Sequence, residues 1–298
     1  MTPIAAFVSV LAGLFSPEAV AVQQMTPSEK AALVVVSGLP APAGVGGVIV
    51  RRWDRDAPRP AGTLVFVDQE GGEVRAFPSL PPARSAARIA SAGEAFASGR
   101  ATGRALRATG VHVDLAPVLD EPDGPLGARH FDRPEYGVAF ARGLAAARAG
   151  ACVKHFPGLG SAPVSTDERP HVNAVVRESE VRAFRSAVAA GVPCVMTGHA
   201  FYRRLGRFRA SLEPRTYRLL RSLGFEGVAI TDSLNIVGKT PAHWPTRAIR
   251  SGADLLLFTS PVAARRAIAQ LLPLARRGEL DGAVVRVLRF RARYLAAR

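Results

Sequence analysis

Lysine, cysteine and aromatic residues are all scarce in this chain of 298 residues. Only three of its 39 basic residues are lysines, two residues are cysteines, and aromatic side chains account for 7%. Two cysteines are too few to staple a small disulfide-rich fold, and the apolar run from Ile4 to Phe15, 12 residues long, is too short to span a bilayer. These shortages argue against a disulfide-stapled miniprotein and an integral membrane segment. With 48% hydrophobic residues, the rest of the composition is that of a globular protein.

The net charge of +15 comes almost entirely from arginine. The arginines are spread from Arg51 to Arg298 and do not form one basic stripe with interleaved aromatic residues, which is the usual pattern of nucleic-acid binders. We therefore predict no nucleic-acid partner. The charge is interpreted as arginine in place of surface lysine, with a general attraction to anionic polymers.

The cysteines and the N-terminus bear on the compartment of the protein. Cys152 and Cys194 each lie in an apolar run that predicts a buried strand, so we expect two reduced thiols and no disulfide. Within residues 1–24, Ala19-Val20-Ala21 follows the apolar run as in a signal peptide, but no basic residue precedes that run. The sequence leaves a cytoplasmic and an exported location equally open. It predicts a possible signal or disordered segment at 1–24 and one domain over 25–298.

Short runs of valine, isoleucine and leucine alternate with helical stretches from Met25 onward. Thr26, Pro27 and Glu29 predict a helix start, and the apolar residues 31–36 are expected to continue that helix. Strands are predicted at 46–50, 63–67, 111–115, 151–154, 193–197, 228–231 and 255–258. Strands that alternate with helices at this spacing predict parallel βαβ units, and the length fits an α/β fold of the (β/α)8 TIM-barrel type.

The connection between the first two predicted strands is unusually short. Only residues 51–62 separate them, and this segment contains Pro58 and Pro60, which argue against a crossover helix. We therefore expect a barrel that is trimmed here, with the second strand antiparallel or the barrel partly open.

Ionisable residues stand at the point where each of several predicted strands ends. They are Asp68, Asp120, Lys154 with His155, His199 and Asp232. The carboxyl ends of the strands in a parallel barrel meet on one face, which is where such folds carry their active sites. Taken alone, Asp120 is interpreted as half of a structural ion pair. Taken together, the residues predict an active site.

Seven motifs follow one another in a fixed order. They are VDQEGG at 67–72, HVDLAPVLD at 112–120, GARHF at 127–131, KHFPGLG at 154–160, MTGH at 196–199, ITDSLN at 230–235 and SGADLL at 251–256. In this order they resemble glycoside hydrolase family 3, and within it the single-domain β-N-acetylhexosaminidases, whose motifs look like DQEGGRV, KHFPGHG and SDDLSM. The resemblance covers the chain from roughly Met25 to its end.

The resemblance implies a barrel that hydrolyses a terminal β-linked N-acetylglucosamine, with cell-wall fragments as the substrate class, through a covalent glycosyl-enzyme. It assigns Asp232 as the nucleophile; without the family, Asp232 is also a suitable N-cap for a following helix. It assigns Asp68 to accept hydrogen bonds from sugar hydroxyls and Arg129, Lys154 and His155 to hold the same sugar. A Schiff-base role for Lys154 is the alternative from chemistry alone, and the neighbouring glycines and histidine disfavour it.

The loop at 161–172, SAPVSTDERPHV, departs from the family. The family has an Asp-Ser-His sequence there whose histidine is the acid/base, whereas a gapless alignment puts Asp167 at the histidine and a two-residue insertion puts Arg169 there. We predict Asp167 as the proton donor, with His171 as the second candidate. The other interpretation is a solvated polar loop. Ala76 and Leu159 also replace a family arginine and histidine, which predicts altered or weak sugar binding.

Three functions stay open on the sequence. The first is the glycosidase, the second is a catalytically impaired sugar-binding relative, and the third is a glycoside phosphorylase, because phosphate is an acceptor that needs no deprotonation. A carbohydrate is the expected partner in each case. The protein is expected to be a monomer or an oligomer whose size the sequence does not define. No ligand-spaced histidine and cysteine cluster and no phosphate-cradling loop occurs, so we expect no metal or organic cofactor.

Overall fold

The computed structural model describes residues 16–235 and 241–296, which fold around a parallel barrel. In chain order, strands β1 to β12 are Val35–Ser37, Gly47–Val50, Leu64–Val67, Gln69–Gly71, Val74–Arg75, Val113–Asp114, Gly150–Phe156, Asn173–Ala174, Cys194–Thr197, Phe201–Tyr202, Val228–Thr231 and Leu256–Phe258. Eight of them form the barrel. The other four form two small ribbons, β4 with β5 and β8 with β10.

The barrel strands neighbour one another in the order β12, β1, β2, β3, β6, β7, β9 and β11, and all of these pairs are parallel. A single bridge between Ile230 and Leu255 joins the two ends of the order, so the barrel is nearly closed. The predicted TIM-type fold is therefore confirmed. This arrangement turns the carboxyl ends of all eight strands to one face.

Helices surround the barrel and bury its outer face. They span Pro17–Gln24, Pro27–Leu33, Ala92–Ala108, Pro134–Ala146, Glu178–Ala189, Pro214–Ser222, Trp244–Ser251, Pro261–Arg276 and Asp281–Leu295. Their inward side chains, such as Leu106, Leu144 and Leu271, are fully buried. Removal of this apolar surface from water is the main stabilisation of the barrel.

The helix that begins at Pro27 ends earlier than the sequence predicted. Its start is as expected, because Thr26 Oγ1 accepts the N–H of Glu29 and the Glu29 carboxylate accepts the N–H of Thr26 at 2.7 Å. The prediction that residues 31–36 continue the helix was wrong, since the helix ends at Leu33 and Val35–Ser37 is β1. Three consecutive valines, 34–36, favour the extended conformation and are all fully buried.

Residues 51–63 connect β2 to β3 without a helix, which confirms the trimmed connection. The antiparallel alternative was wrong, because β2 and β3 pair in parallel from Gly47 with Leu64 to Val50 with Val67. The expected opening at this point was also wrong, since the weakest pairing lies between β11 and β12. The loop is tied to the rest of the fold by Arg59, which donates to the carbonyl of Thr109 at 2.8 Å.

Cys152 and Cys194 form a disulfide, which corrects the prediction of two reduced thiols. The two residues are direct partners in the neighbouring parallel strands β7 and β9, with their Cα atoms 4.4 Å apart. Both side chains are fully buried. The two apolar runs predict two strands, but they do not predict that the strands are neighbours. The disulfide depends on that adjacency, because the register of β7 with β9 places the two cysteines opposite each other.

The N-terminal apolar run from Ile4 to Phe15 lies outside the described residues. Pro17–Gln24, in the segment that the sequence assigns to a possible leader, is a helix whose Val22 is buried in the core. Glu18 on this helix pairs with Arg289 of the C-terminal helix at 3.3 Å. Within 16–235 and 241–296, no helix is long and apolar enough to cross a membrane.

Candidate active site

A cavity of about 220 Å³ opens where the carboxyl ends of the barrel strands meet. Six residues that the sequence assigned to substrate or catalysis line it: Asp68, Arg129, Lys154, His155, Asp167 and Asp232. Asp68 and Asp232 directly follow β3 and β11, and the others come from the connection after β6, from β7 and from the loop after β7. The fold therefore brings together residues that are up to 164 positions apart in the chain, from Asp68 to Asp232.

Lys154 and Arg129 neutralise two carboxylates on one wall of the cavity. Lys154 Nζ lies 2.6 Å from Asp68 Oδ1 and 2.5 Å from Glu70 Oε1. Arg129 donates to both oxygens of Glu70, at 2.8 and 2.9 Å. The side chain of Glu70 is buried, whereas that of Asp68 is 38% exposed. Asp68 is therefore the carboxylate of this pair whose oxygen atoms are accessible to a ligand.

Glu70 was missed by the sequence reasoning, although it stands in the VDQEGG motif. Burial alone would raise its pKa, but Lys154 and Arg129 lower the pKa to about 2. In turn, burial disfavours the charged Lys154, yet Asp68 and Glu70 raise its pKa above the ordinary value. Glu70 thus keeps both cations charged and fixed against the cavity. The only signal in the sequence was a glutamate two residues after Asp68.

The VDQEGG turn places Asp68 and Glu70 by local hydrogen bonds. The Gln69 side chain accepts the N–H of Phe77 and donates to its carbonyl, both at 3.0 Å, so the chain returns on itself in the β4–β5 ribbon. Gly72 at the tip has φ of 59°, in the left-handed region that favours glycine. This ribbon holds the residues after β3 against the cavity.

His155 is oriented by Asp120. His155 Nδ1 lies 2.7 Å from Asp120 Oδ2, and the other oxygen of Asp120 accepts the N–H of Leu159 at 2.8 Å. Asp120 is 3% exposed and lies behind the cavity. The interpretation of Asp120 as a structural partner therefore agrees with its position, and the ring of His155 is held for contact with a ligand.

Asp232 directly follows β11 and is nearly buried. Its Oδ1 accepts the N–H of Ser233 at 2.7 Å, while His199 Nε2 lies 2.9 Å from the carbonyl of Ser233. Burial alone would raise the pKa of Asp232, but His199, His155 and the N–H of Ser233 hold it below its ordinary value. Asp232 is therefore an ionised carboxylate at the floor of the cavity.

Asp167 reaches the same cavity from the loop after β7. Its neighbours Ser165 and Thr166 are buried, and Ser165 Oγ accepts the N–H of Asp167 at 3.2 Å. Asp167 as a whole is exposed, but its carboxyl borders the cavity, where partial desolvation and the nearby charge of Asp232 raise its pKa, against the opposing effects of His155, Arg129 and Lys154. The loop is thus folded against the site, and its carboxyl favours the protonated form more than Asp232 does.

His171 lies elsewhere, on the outer part of the loop. Its exposed ring stacks on Phe201 with the ring centres 4.1 Å apart, and it does not line the cavity. Its neighbour Pro170 accepts a hydrogen bond from Arg209. These contacts give His171 a part in fastening the end of the loop.

The base of the loop is held by buried polar groups. Glu180 Oε1 accepts the N–H of Gly160 at 2.7 Å, and Tyr202 Oη donates to the carbonyl of Gly158 at 2.6 Å. Leu159, where the family has a histidine, packs in an apolar cluster with Tyr202. Arg75, next to the departure at Ala76, donates to the carbonyls of Gly72 and Pro78 and does not line the cavity.

Asp114 lies fully buried behind Asp68, and we expect it to make stability fall as pH rises. Burial is the main cause that raises its pKa, to about 8 from 3.8, and its Oδ2 has no hydrogen-bond partner among the described residues. Between these two values the folded protein keeps a proton that the unfolded chain has lost, so the free energy of unfolding decreases with pH. Asp114→Asn should gain on the order of 3 kcal/mol relative to the wild type between pH 5 and pH 8.

Urea unfolding at pH 5, 6.5 and 8 measures this difference. Asp132→Asn, which changes an exposed carboxylate, is the matched control and should follow the wild type at each pH. Parallel curves for Asp114→Asn and the wild type would show that Asp114 is ionised in the folded state.

Among residues 16–235 and 241–296, no three histidine, cysteine, aspartate or glutamate side chains are grouped as ligands of a metal ion. The carboxylates on the cavity wall are instead compensated by Lys154 and Arg129. The arrangement can bind a neutral polyhydroxyl ligand, attack it with one carboxylate and exchange a proton with another.

Comparison with known proteins identifies the family. The profile of the "Glycosyl hydrolase family 3 N terminal domain" matches residues 49–290. The chain is 31% identical over 261 residues to a β-hexosaminidase of Stenotrophomonas maltophilia, covering 75% of this chain and 77% of that protein. It is 32% identical over 239 residues to a β-hexosaminidase of Nitrosospira multiformis, covering 70% of this chain and 68% of that protein.

Solved structures agree on the fold. A family 3 glycosyl hydrolase from Mycobacterium smegmatis superposes with a TM-score of 0.79 at 29% identity, covering 92% of this chain and 98% of that one. A family 3 β-N-acetylglucosaminidase from a Paenibacillus species superposes with a TM-score of 0.81 at 24% identity, covering 92% and 64%. The chain therefore belongs to glycosyl hydrolase family 3 and is a TIM-barrel glycoside hydrolase similar to bacterial β-hexosaminidases.

Proposed function

We propose that this protein removes terminal β-linked N-acetylglucosamine with retention of anomeric configuration, acting on cell-wall-derived sugars. One observation carries the proposal: two carboxyl groups, Asp232 and Asp167, line the same cavity as the polar residues Asp68, Arg129, Lys154 and His155. The environment lowers the pKa of Asp232 and raises that of Asp167. Two carboxyls whose pKa values are pushed apart are the pair that a retaining glycosidase needs.

In the first step, the ionised Asp232 attacks the anomeric carbon and a covalent ester forms as the glycosidic bond breaks. The protonated Asp167 donates its proton to the leaving oxygen. In the second step, Asp167 takes a proton from water, the water oxygen attacks the anomeric carbon, and Asp232 leaves as the carboxylate. Asp167 is a better candidate for this role than His171, because His171 does not line the cavity.

The sugar would be held on the opposite wall. Asp68, with its side chain 38% exposed, accepts hydrogen bonds from hydroxyl groups. Arg129, Lys154 and His155 donate to the same ring. Since Lys154 and Arg129 are already fixed by Glu70, little side-chain freedom is lost when the sugar binds.

An activated 5-fluoro glycosyl fluoride of N-acetylglucosamine tests the proposal. We expect it to form a covalent adduct of one sugar per protein, located by peptide mass spectrometry on Asp232, and we expect turnover of an aryl glycoside and of N,N′-diacetylchitobiose. Sugar binding without adduct or turnover would overturn the proposal in favour of an impaired sugar-binding relative. Stimulation by phosphate with a sugar phosphate as product would overturn it in favour of a phosphorylase.

A further inference from the structure

The cavity accommodates one sugar ring and little more. Its volume of about 220 Å³ is below the roughly 300–1,000 Å³ that is typical of sites for drug-sized ligands. If the proposed function holds, the ring of the terminal sugar fills this space. The next ring of an oligosaccharide must then lie outside, on the rim of the cavity.

One segment of the rim carries an exposed aromatic ring. In the parallel pairing of β2 with β3, Val50 lies opposite Val67, so Arg51 leaves the barrel beside Asp68. Two residues further along this loop, Trp53 is 77% exposed, more than any other large apolar side chain among the described residues. The absence of a helix between β2 and β3 leaves this ring uncovered.

The loop that carries Trp53 is fixed to the wall of the cavity. Arg51 donates to Asp54 Oδ2 from Nε at 2.8 Å and from Nη2 at 2.6 Å, and its Nη1 donates to the carbonyl of Thr259 at 2.9 Å. Thr259 lines the cavity. The guanidinium carbon of Arg51 lies 4.8 Å from the centre of the Trp53 ring. A single guanidinium group therefore separates the exposed ring from the cavity wall.

We propose that Trp53 is a binding platform for the second sugar ring of the substrate, the ring that leaves with the cleaved bond. The C–H face of a pyranose packs on the face of an indole, and the large area of the indole gives affinity at a small cost in side-chain entropy. Arg51 supports the ring from one side, which fixes its orientation before the sugar arrives. Trp53 acts as a specificity-determining residue, because it favours substrates of two or more sugars over simple glycosides.

Calorimetric titration of the full chain tests this platform with two ligands, N-acetylglucosamine and the non-hydrolysable sulfur-linked analogue of N,N′-diacetylchitobiose. We expect the wild type to bind the disaccharide analogue more tightly than the monosaccharide. Trp53→Ala should weaken binding of the disaccharide about tenfold and of the monosaccharide less than about twofold. Trp53→Phe should restore most of the loss, and Phe96→Ala, which removes an exposed aromatic on an outer helix, should change neither affinity.

Fluorescence gives a second readout, since Trp53 and Trp244 are the only tryptophans. In a Trp244→Phe background, the disaccharide analogue should shift the Trp53 emission to the blue and the monosaccharide should not. Equal affinity of Trp53→Ala and the wild type for the disaccharide, with monosaccharide binding intact, would overturn the platform while the proposed function stands. Failure of the wild type to form the covalent adduct or to turn over either substrate would instead overturn the proposed function.

Discussion

Replacement of Asp232 by asparagine is expected to lower kcat/KM by about 10⁴-fold or more on an aryl β-N-acetylglucosaminide and on a disaccharide alike. An amide cannot form the glycosyl ester, and neither of the other two carboxyl groups that line the cavity is placed to replace Asp232. Asp68 is bound by Lys154, and Asp167 is biased toward its protonated form. Steady-state kinetics on both substrates measures the effect.

The asparagine variant should retain the fold and the affinity for N-acetylglucosamine. Asp232 Oδ1 accepts only the N–H of Ser233 among the described residues, and an amide oxygen can accept the same bond. Asp232→Ala controls for slow deamidation and should be equally inactive. Activity above about a tenth of wild type in the alanine variant would exclude Asp232 as the nucleophile.

Replacement of Asp167 by alanine should separate the two kinds of substrate. On N,N′-diacetylchitobiose, whose leaving oxygen needs a proton, we expect kcat/KM to fall by about 10²–10⁴-fold, the usual contribution of a general acid. On a dinitrophenyl glycoside, whose leaving group departs without a proton, the first step should change less than about tenfold. Added azide should accelerate turnover of the variant and yield the β-glycosyl azide.

The pH profile and a neighbouring histidine sharpen this test. A general acid must be protonated, and burial with the Asp232 charge raises the pKa of Asp167. The wild type should therefore lose activity on the disaccharide as pH rises through the pKa of Asp167, and the residual activity of Asp167→Ala on the same disaccharide should lack this limb. His171→Ala is the matched control from the same loop and should keep the wild-type profile. Loss of the limb in His171→Ala, with the limb retained in Asp167→Ala, would instead assign the proton donor as His171.

The alternation of strands and helices was readable because buried parallel strands are short apolar runs with clear ends. β1 was missed, because only Val34 separates it from the helix that ends at Leu33 and both elements lie in one apolar run, whose periodicity marks no boundary. The pairing of Cys152 with Cys194 was hidden for a different reason. It depends on which strands are neighbours, which local sequence does not state.

The site was more predictable than the contacts that support it. Residues such as Asp68, Lys154 and Asp232 stand at strand ends, and the parallel topology alone brings strand ends together. Glu70 lies beyond the strand end, and its burial depends on the path of the β4–β5 ribbon. Asp114 ends β6, but its burial under the N–H of Gln69 depends on how the chain turns after β3. The sequence placed Asp167 ahead of His171 by alignment alone, whereas the folded loop puts Asp167 at the cavity and stacks His171 on Phe201.

The burial of the disulfide limits the access of other thiols to its two sulfur atoms. Thiol–disulfide exchange requires an attacking thiolate to reach a sulfur atom, and both Cys152 and Cys194 are fully shielded in the folded chain. Reductants and oxidants can therefore act on this pair only when β7 and β9 part. Burial therefore slows thiol–disulfide exchange at this pair relative to an exposed disulfide, on the strand that also carries Lys154 and His155.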